Sequence, residues 1–486
     1  MTGTASGAER VARNALLKVA VQATRLLSLV FVILAARALG PTGFGKFTFA
    51  YALATLLGAA LDLGMHSVLV RGVARARTET AEQWAAAVTL KLALLVPVGL
   101  VFALFPVLTR RPLDTTVAVW LLGTALALQS FIELAVSVFT AFERLEFELG
   151  LRLAEKLLLF GVGVGGLLLG GGLWLVTGTF ALAAAASLAL AVALVHRRFA
   201  RLAWRWHASG ARALGRALGP VALAFVLAFT ATRLVPLLVA LLAGDAAAGY
   251  FGAAVRVLDV LMVVPIALSA AVYPVLARTR PADPRFRRLF VQSGEVLLFV
   301  GLPLTLALAY GASWLVALVY GTRYEPAAAL LRVLGLAACL SFLNYFLGFV
   351  FLALDRPGRL LGVAATGLVA SAVLTPGLVM VGGAAGGSVA LVLVETIALT
   401  GALVGLAPLV GLPFGMGAVK AGAAAAGAAL VAGALPAGSV WRLGAALAVY
   451  AGGVLALRPV PVALWGRVVR AAVWDGRARP GVVGDE

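Results

Sequence analysis

Charge is scarce in this chain, and acid scarcest of all. Only 20 Asp and Glu stand among 486 residues, and charged residues of both signs make up 12% of the total, about half the share of an average soluble domain. A single cysteine, Cys339, sits in an apolar run, so it forms no intramolecular disulfide and offers no zinc-type ligand spacing. Three histidines are too few for a metal site of ordinary composition, and neither metal nor cofactor is expected. The G-x-S-x-G nucleophile elbow and the H-E-x-x-H zinc motif are missing, as is an acidic cluster for a magnesium-bound sugar nucleotide. None of this points to an enzyme.

What the chain has is hydrophobicity: 63% apolar residues and a mean hydropathy of +1.06. A helix crossing a bilayer needs roughly 20 mostly apolar residues, and fourteen segments qualify, from 14–39 to 440–464. No stretch is left over for a soluble domain. Residues 1–13 carry Arg10 and Arg13 before an apolar segment longer than a signal-peptide core and without a clear small-residue cleavage site, so the first span is expected to stay attached.

An internal repeat organises these spans. Ala23-Thr24-Arg25-Leu26-Leu27 returns as Ala231-Thr232-Arg233-Leu234-Val235, and Phe44-Gly45 returns as Phe251-Gly252, with one residue's difference in spacing. The expected architecture is therefore all-α and integral to the membrane, with about 14 transmembrane helices in two six-helix lobes related by a pseudo-two-fold axis, plus two C-terminal helices. The divisions are 1–195 for the N-terminal lobe, 196–216 for a polar cytoplasmic linker, 217–408 for the C-terminal lobe, and 409–486 for two further helices and a cytoplasmic tail.

The net charge of +19 would suggest nucleic acid in a soluble protein. Here 27 of the 39 Lys and Arg fall on the N-terminal side of alternate loops and six on the opposite side, the asymmetry of cytoplasmic loops. Both termini are predicted to be cytoplasmic, in the plasma membrane. The stretch from Arg197 to Trp206 alternates cations with aromatics and reads as an amphipathic linker on the anionic inner leaflet. No nucleic-acid partner is expected.

Six cations fall within spans: Lys18, Arg25, Lys91, Arg233, Arg256 and Arg332. Lys18 and Lys91 are expected to snorkel to the interface. A charge at the bilayer centre costs about 2.5–3.5 kcal/mol on insertion scales and usually faces a bundle interior or a cavity. Asp62 is expected to meet Arg25 on the neighbouring antiparallel helix, and Asp259 follows Arg256 by three residues on one face. Either pairing serves structure alone or holds a ligand site together. The repeated arginines, Arg25 and Arg233, favour the second reading, because a pseudo-two-fold axis brings them toward one cleft suited to a phosphate or diphosphate. Pro236, three residues after Arg233, is a candidate hinge beside that cleft, while Glu133, Glu295 and Glu395 are the remaining membrane acids of note.

Two strings imitate soluble motifs. Gly40-Pro-Thr-Gly-Phe-Gly-Lys46 has P-loop glycine spacing, but Phe47 occupies the Ser/Thr position and the string follows a membrane helix, so it reads as a reversing turn. Gly161-Val-Gly-Val-Gly-Gly166 lies inside an apolar span, where small residues serve close helix packing.

The opening Arg25-Leu-Leu-Ser … Ala36-Arg37-Ala-Leu-Gly-Pro-Thr-Gly-Phe-Gly-Lys-Phe, the following Leu61-Asp-Leu-Gly64 … Arg71, the segment Tyr250-Phe-Gly-Ala-Ala-Val-Arg-Val-Leu-Asp259 … Pro265 … Tyr273-Pro274, and Tyr320-Gly-Thr-Arg-Tyr-Glu-Pro326 … Arg332 recur in an order and spacing that cover most of the chain. In these it resembles the polysaccharide-type flippases, related to lipid II flippases, of the multidrug/oligosaccharidyl-lipid/polysaccharide exporter superfamily. The resemblance implies two helical lobes in a V that alternate between inward- and outward-open states. It also implies that the first, second, seventh and eighth helices line a cationic cavity for a lipid-linked sugar diphosphate. Arg25, Arg233 and Arg256 fall on those helices as substrate-binding candidates, with Asp62 and Asp259 as salt-bridge partners. The ninth and eleventh to fourteenth helices are very apolar and carry few charges to select a sugar.

The expectation is a flippase that carries a polyprenyl-diphosphate-linked oligosaccharide from the inner to the outer leaflet. Its partners would be that lipid-linked substrate, membrane lipids, and the glycan polymerase or glycosyltransferases of the same pathway. The alternatives are a cation-coupled multidrug antiporter of the same superfamily, which needs an essential membrane acid that the first helix lacks, and an integral membrane glycosyltransferase, which needs a catalytic cluster on an outer loop.

Overall fold

The computed structural model describes residues 7–62, 64–202, 205–436 and 441–457. Within them the chain is a succession of helices, the form that satisfies every backbone hydrogen bond inside a bilayer. The helical stretch Gly7–Asp62 bends at Gly40, whose φ of 68° lies in the left-handed region. It therefore contributes two spans, α1 (7–39) and the first part of α2 (41–62), which Met65–Arg75 continues. There follow α3 (Thr80–Leu108), α4 (Leu113–Ala141), α5 (Leu145–Leu168) and α6 (Leu173–Arg198).

The second lobe starts with α7 (Ala208–Leu242) and α8, which is Asp245–Leu261 and Val263–Arg278 in series. It continues with α9 (Pro284–Tyr320) and α10 (Glu325–Ala353). The stretch Pro357–Val410 bends at Gly383 and supplies α11 (357–382) and α12 (384–410). Two more helices, α13 (Met416–Ala434) and α14 (Trp441–Leu457), close the order. Among the described residues, then, the expected fourteen spans are all present, and successive connections fall alternately at the Gly40 end and at the end that holds residues 199–207, the linker end.

Helix ends differ from expectation most between the lobes. α6 runs on to Arg198 and α7 begins at Ala208, so much of the expected 196–216 linker is helix. The first turns of α7 lie on α3 rather than in solvent: the His207 amide donates to Thr89 Oγ1 at 3.0 Å, and Leu218 joins the buried cluster of Met65, Leu69 and Trp84. Of the amphipathic stretch read in the sequence, Trp204 lies outside the described residues, as do residues 458–486 of the predicted tail.

The repeat is visible in local geometry. Thr24 Oγ1 donates to the Val21 carbonyl at 2.7 Å, and Thr232 Oγ1 to the Phe229 carbonyl at 3.0 Å, the same bond one turn back in each copy. The two Phe-Gly segments meet face to face. A side chain on Gly45 would collide with the Asp245 carbonyl, and one on Gly249 with the Pro41 carbonyl, so only glycine lets α2 and α8 touch backbone to backbone. Around this contact Phe31, Phe44, Phe47 and Phe49 of the first lobe pack with Phe251, Tyr320 and Tyr324 of the second in one buried cluster. The glycines at 163 and 166 serve packing as expected, against Phe31 and Leu175.

Candidate functional site

Helix rise sets the depth of each charge. At about 1.5 Å per residue, Arg233 on α7 and Arg256 on α8 lie about 14 and 16 Å from the Gly40 end, and Arg25 on α1 about 22 Å. Arg233 and Arg256 thus fall near the middle of a hydrocarbon core about 30 Å thick, and Arg25 in its half toward the linker end. Two of them are joined: Arg233 Nη2 is 3.1 Å from Asp259 Oδ1, and Arg256 Nη1 is 3.6 Å from Asp259 Oδ2. One carboxylate thus serves two guanidinium groups, which leaves the cluster positive.

The sequence reading missed the partner across the lobes. Arg256 lies over the ring of Tyr51 on α2, 4.1 Å from its centroid, a cation–π contact in a desolvated setting. Tyr51 and Arg256 stand at matching depths on the two helices whose Phe-Gly segments touch, and that spacing was the only signal in the sequence for their meeting. Arg233 has its own aromatic neighbour, Phe229, at 5.3 Å.

Arg25 is exposed and forms no ion pair among the described residues. The expected bond from Asp62 to Arg25 does not form. Asp62 instead accepts from Lys91 Nζ of α3 at 3.2 Å. The reason is height: Asp62 is about 33 Å down α2, some 11 Å beyond the level of Arg25, more than two side chains can bridge. Lys91 likewise does not snorkel; its side chain is wholly buried and reaches the partly exposed carboxylate of Asp62. Lys18, by contrast, is half exposed and binds Glu148 at 2.7 Å. Arg332 donates to Ser313 Oγ at 2.7 Å on the exposed face of α10.

The remaining acids are also engaged. Glu133 pairs with Arg152 of α5, which lies 3.6 Å from Glu155. Glu295 accepts from the Gly417 amide at 2.9 Å. Glu395 on α12 is buried and accepts from Asn344 Nδ2 at 2.6 Å, with no cation beside it among the described residues.

The lobes are tied together at the Gly40 end. Arg111 reaches Asp245 at 2.9 Å and the Ala240 carbonyl at 2.6 Å while its guanidinium covers the Phe49 ring at 4.4 Å. Arg37 donates to the carbonyls of Leu318 and Val319 at the end of α9, and the Tyr324 hydroxyl donates to the Ala36 carbonyl at 2.7 Å. Among the described residues, most polar side-chain contacts between the two six-helix lobes lie at this end; Tyr51–Arg256 at mid-depth and the His207 amide on Thr89 at the linker end are the exceptions.

Solved structures share this fold. The lipid II flippase MurJ in an inward closed conformation superposes with a TM-score of 0.70 at 11% identity, over 94% of this chain and all of that one. A multidrug resistance MATE transporter in its inward-facing conformation gives 0.64 at 15% identity over 79% of this chain and 94% of that one. An outward-facing MATE transporter gives 0.56 at 15% identity, over 84% and 98% of the respective chains. No match was found among curated protein sequences. The fold is the one these flippases and transporters share, and the chain is a multi-pass membrane protein. It belongs to the polysaccharide biosynthesis protein family, whose model matches residues 11–280.

Proposed function

We propose that this protein is a flippase that moves a polyprenyl-diphosphate-linked oligosaccharide from the inner to the outer leaflet by alternating access. The observation that carries the reading is an imbalance of charge: Arg233 and Arg256 stand near mid-membrane against one carboxylate, Asp259, and Arg25, deeper toward the linker end, has no ion pair among the described residues. Uncompensated cations at that depth are costly, and a diphosphate supplies the missing negative charge through paired guanidinium contacts. Asp259 then acts as a resident counter-ion that holds Arg233 and Arg256 until the substrate displaces it. Asp62, bound to Lys91, is a positioning residue on α2 and not part of the arginine site.

With the cation-rich loops at the cytoplasm, both termini are inside and the Gly40 end faces outward. The contacts of Arg111, Arg37 and Tyr324 then hold the protein closed to the outside, and they must break for release there. The lipid-linked substrate, membrane lipids, and the polymerase or glycosyltransferases of the same pathway are the partners this reading implies. The experiment is substitution of Arg25→Ala and Arg233→Ala in cells. Glycan export should fall sharply at unchanged protein level, and normal export would overturn the reading.

A second reading has one observation in its favour. Glu395 is a buried carboxylate with an amide partner and, among the described residues, no cation beside it, the kind of group through which a cation-coupled multidrug antiporter works. In that case Glu395→Gln abolishes ion-dependent drug efflux while Arg25→Ala spares it.

A further inference from the structure

A slot of about 410 Å³ opens between α2, α3 and α4, a volume in the range of small-molecule sites. Ala54, Gly58 and Leu61 form its α2 wall, Gly99 and Phe102 its α3 wall, and Thr124 supplies the only hydroxyl among the lining residues. The slot is apolar where the arginine site is charged, and it belongs to none of the contacts described so far.

Three features say what fills it. First, it begins one helical turn from the arginine site. Tyr51, which holds Arg256, is followed on the same face of α2 by Ala54, Gly58 and Leu61, within an arc of about 80° at 100° per residue. Second, its walls are shaped by the lack of side chains: nothing lies within 4 Å of where a Cβ on Gly99 would be, and Phe102 turns toward Gly123, whose own side chain would collide with that ring. Third, the slot is open at its side, where its lining residue Trp120 of α4 is exposed, and the surface of α3 beside it carries the exposed apolar side chains of Val96, Leu100 and Val101. Pro97 and Pro106 interrupt the hydrogen-bond ladder of α3 beside it.

We propose that this slot receives the hydrocarbon tail of the same lipid whose diphosphate sits on Arg233 and Arg256. The inference rests on the flippase reading and adds a second subsite to it. A head held by arginines at mid-membrane leaves its tail one turn from Ala54, and an apolar channel open to lipid lets the tail stay in hydrocarbon while the head crosses. The prediction that follows is specificity for a long unsaturated chain as well as for the diphosphate.

The test uses the full chain in lipid vesicles and a polyprenyl diphosphate that bears a photoactivatable diazirine on its tail. Peptide mapping should locate the label on α3 and α4 around Gly99, Phe102 and Thr124. Gly99→Leu, which adds a side chain into open space, should cut labelling there by about tenfold, the loss expected when two buried methylenes are displaced. Ala103→Phe at the rim of the slot should act in the same direction, while Gly161→Leu, equally free of contacts, should leave labelling unchanged; unshifted thermal unfolding of each variant shows that it is folded. Labelling that phosphatidylglycerol or a polyprenol without phosphate competes away as well as polyprenyl diphosphate does would mean that an ordinary acyl chain occupies the slot, and would overturn the proposal. Label found on other helices, still competed by polyprenyl diphosphate and lost in Arg233→Ala, overturns the slot but leaves the flippase reading standing. Absence of any diphosphate-dependent label brings down both.

Discussion

In the first lobe, Lys18, Lys91, Arg152 and Lys156 meet Glu148, Asp62, Glu133 and Glu155, four cations against four anions, each in contact with a partner of opposite sign. In the middle of the molecule, Arg233 and Arg256 share Asp259 alone, and Arg25 has no ionic partner among the described residues. Both groups lie within membrane helices and both are built from the same residue types. The balanced group needs nothing from outside, since each charge is neutralised where it stands, and its work is to hold α1 to α5 in register. The unbalanced group has positive charge left over, which on the proposed reading the diphosphate of the substrate matches. Composition alone does not separate them; the count of partners around each charge does.

The contrast can be broken most directly at the unbalanced group. Arg233→Ala and Arg256→Ala should each lower glycan export by about 10- to 100-fold, the effect of losing a charge-assisted hydrogen bond worth roughly 1.5–3 kcal/mol, with thermal stability little changed. A loss of stability without a specific loss of transport would put these arginines with the structural group. Next in size is the balanced group: Asp62→Asn strands the fully buried Lys91 and should destabilise the protein by about 3 kcal/mol. The double change with Lys91→Met should recover most of it, and a double-mutant cycle on thermal unfolding in detergent decides. If the double variant is as unstable as Asp62→Asn, the pair is not what holds Lys91 in place.

Arg111→Ala removes the latch to Asp245 and Ala240, and spin labels on the loops of the two lobes at the Gly40 end should report a larger separated population than in the parent. No change in the distance distribution would mean that the Gly45–Gly249 backbone contact closes that end by itself. A smaller effect is expected of Asp259→Asn: with its resident counter-ion neutralised, the arginine pair should bind polyprenyl diphosphate severalfold more tightly and release it more slowly. Weaker binding would show that Asp259 orients the arginines and does not compete with substrate. Smallest is the exposed pair of Arg144 and Glu146, where Glu146→Gln should shift stability by less than about 1 kcal/mol.

Much of this architecture was legible in the chain. The fourteen spans follow from hydropathy and length, because a bilayer leaves an apolar segment no other way to satisfy its backbone. The equivalence of Arg25 and Arg233 follows from the repeated Ala-Thr-Arg, and the bond from Asp259 to Arg256 from their three-residue spacing. The expected partner of Arg25 was wrong for a reason of geometry: the sequence places Asp62 on the next helix but does not say at what height it meets its neighbours, and α3 brings Lys91 to that level first. Tyr51 went unnoticed because a lone tyrosine in an apolar span carries no pattern.

The sequence by itself determined that this is a many-helix membrane protein, that its halves repeat, and that cations outnumber acids in its spans. Those are consequences of local chemistry, of solvation and helix period, which act on neighbours in the chain. Only the tertiary structure decided which charges cancel: that a buried Lys91 pairs with Asp62, that one carboxylate is divided between Arg233 and Arg256, and that Arg25 has no ionic partner among the described residues. Electrostatic pairing falls off within a few ångströms, so it depends on how helices from distant parts of the chain are packed, and here two glycines facing two carbonyls set that packing.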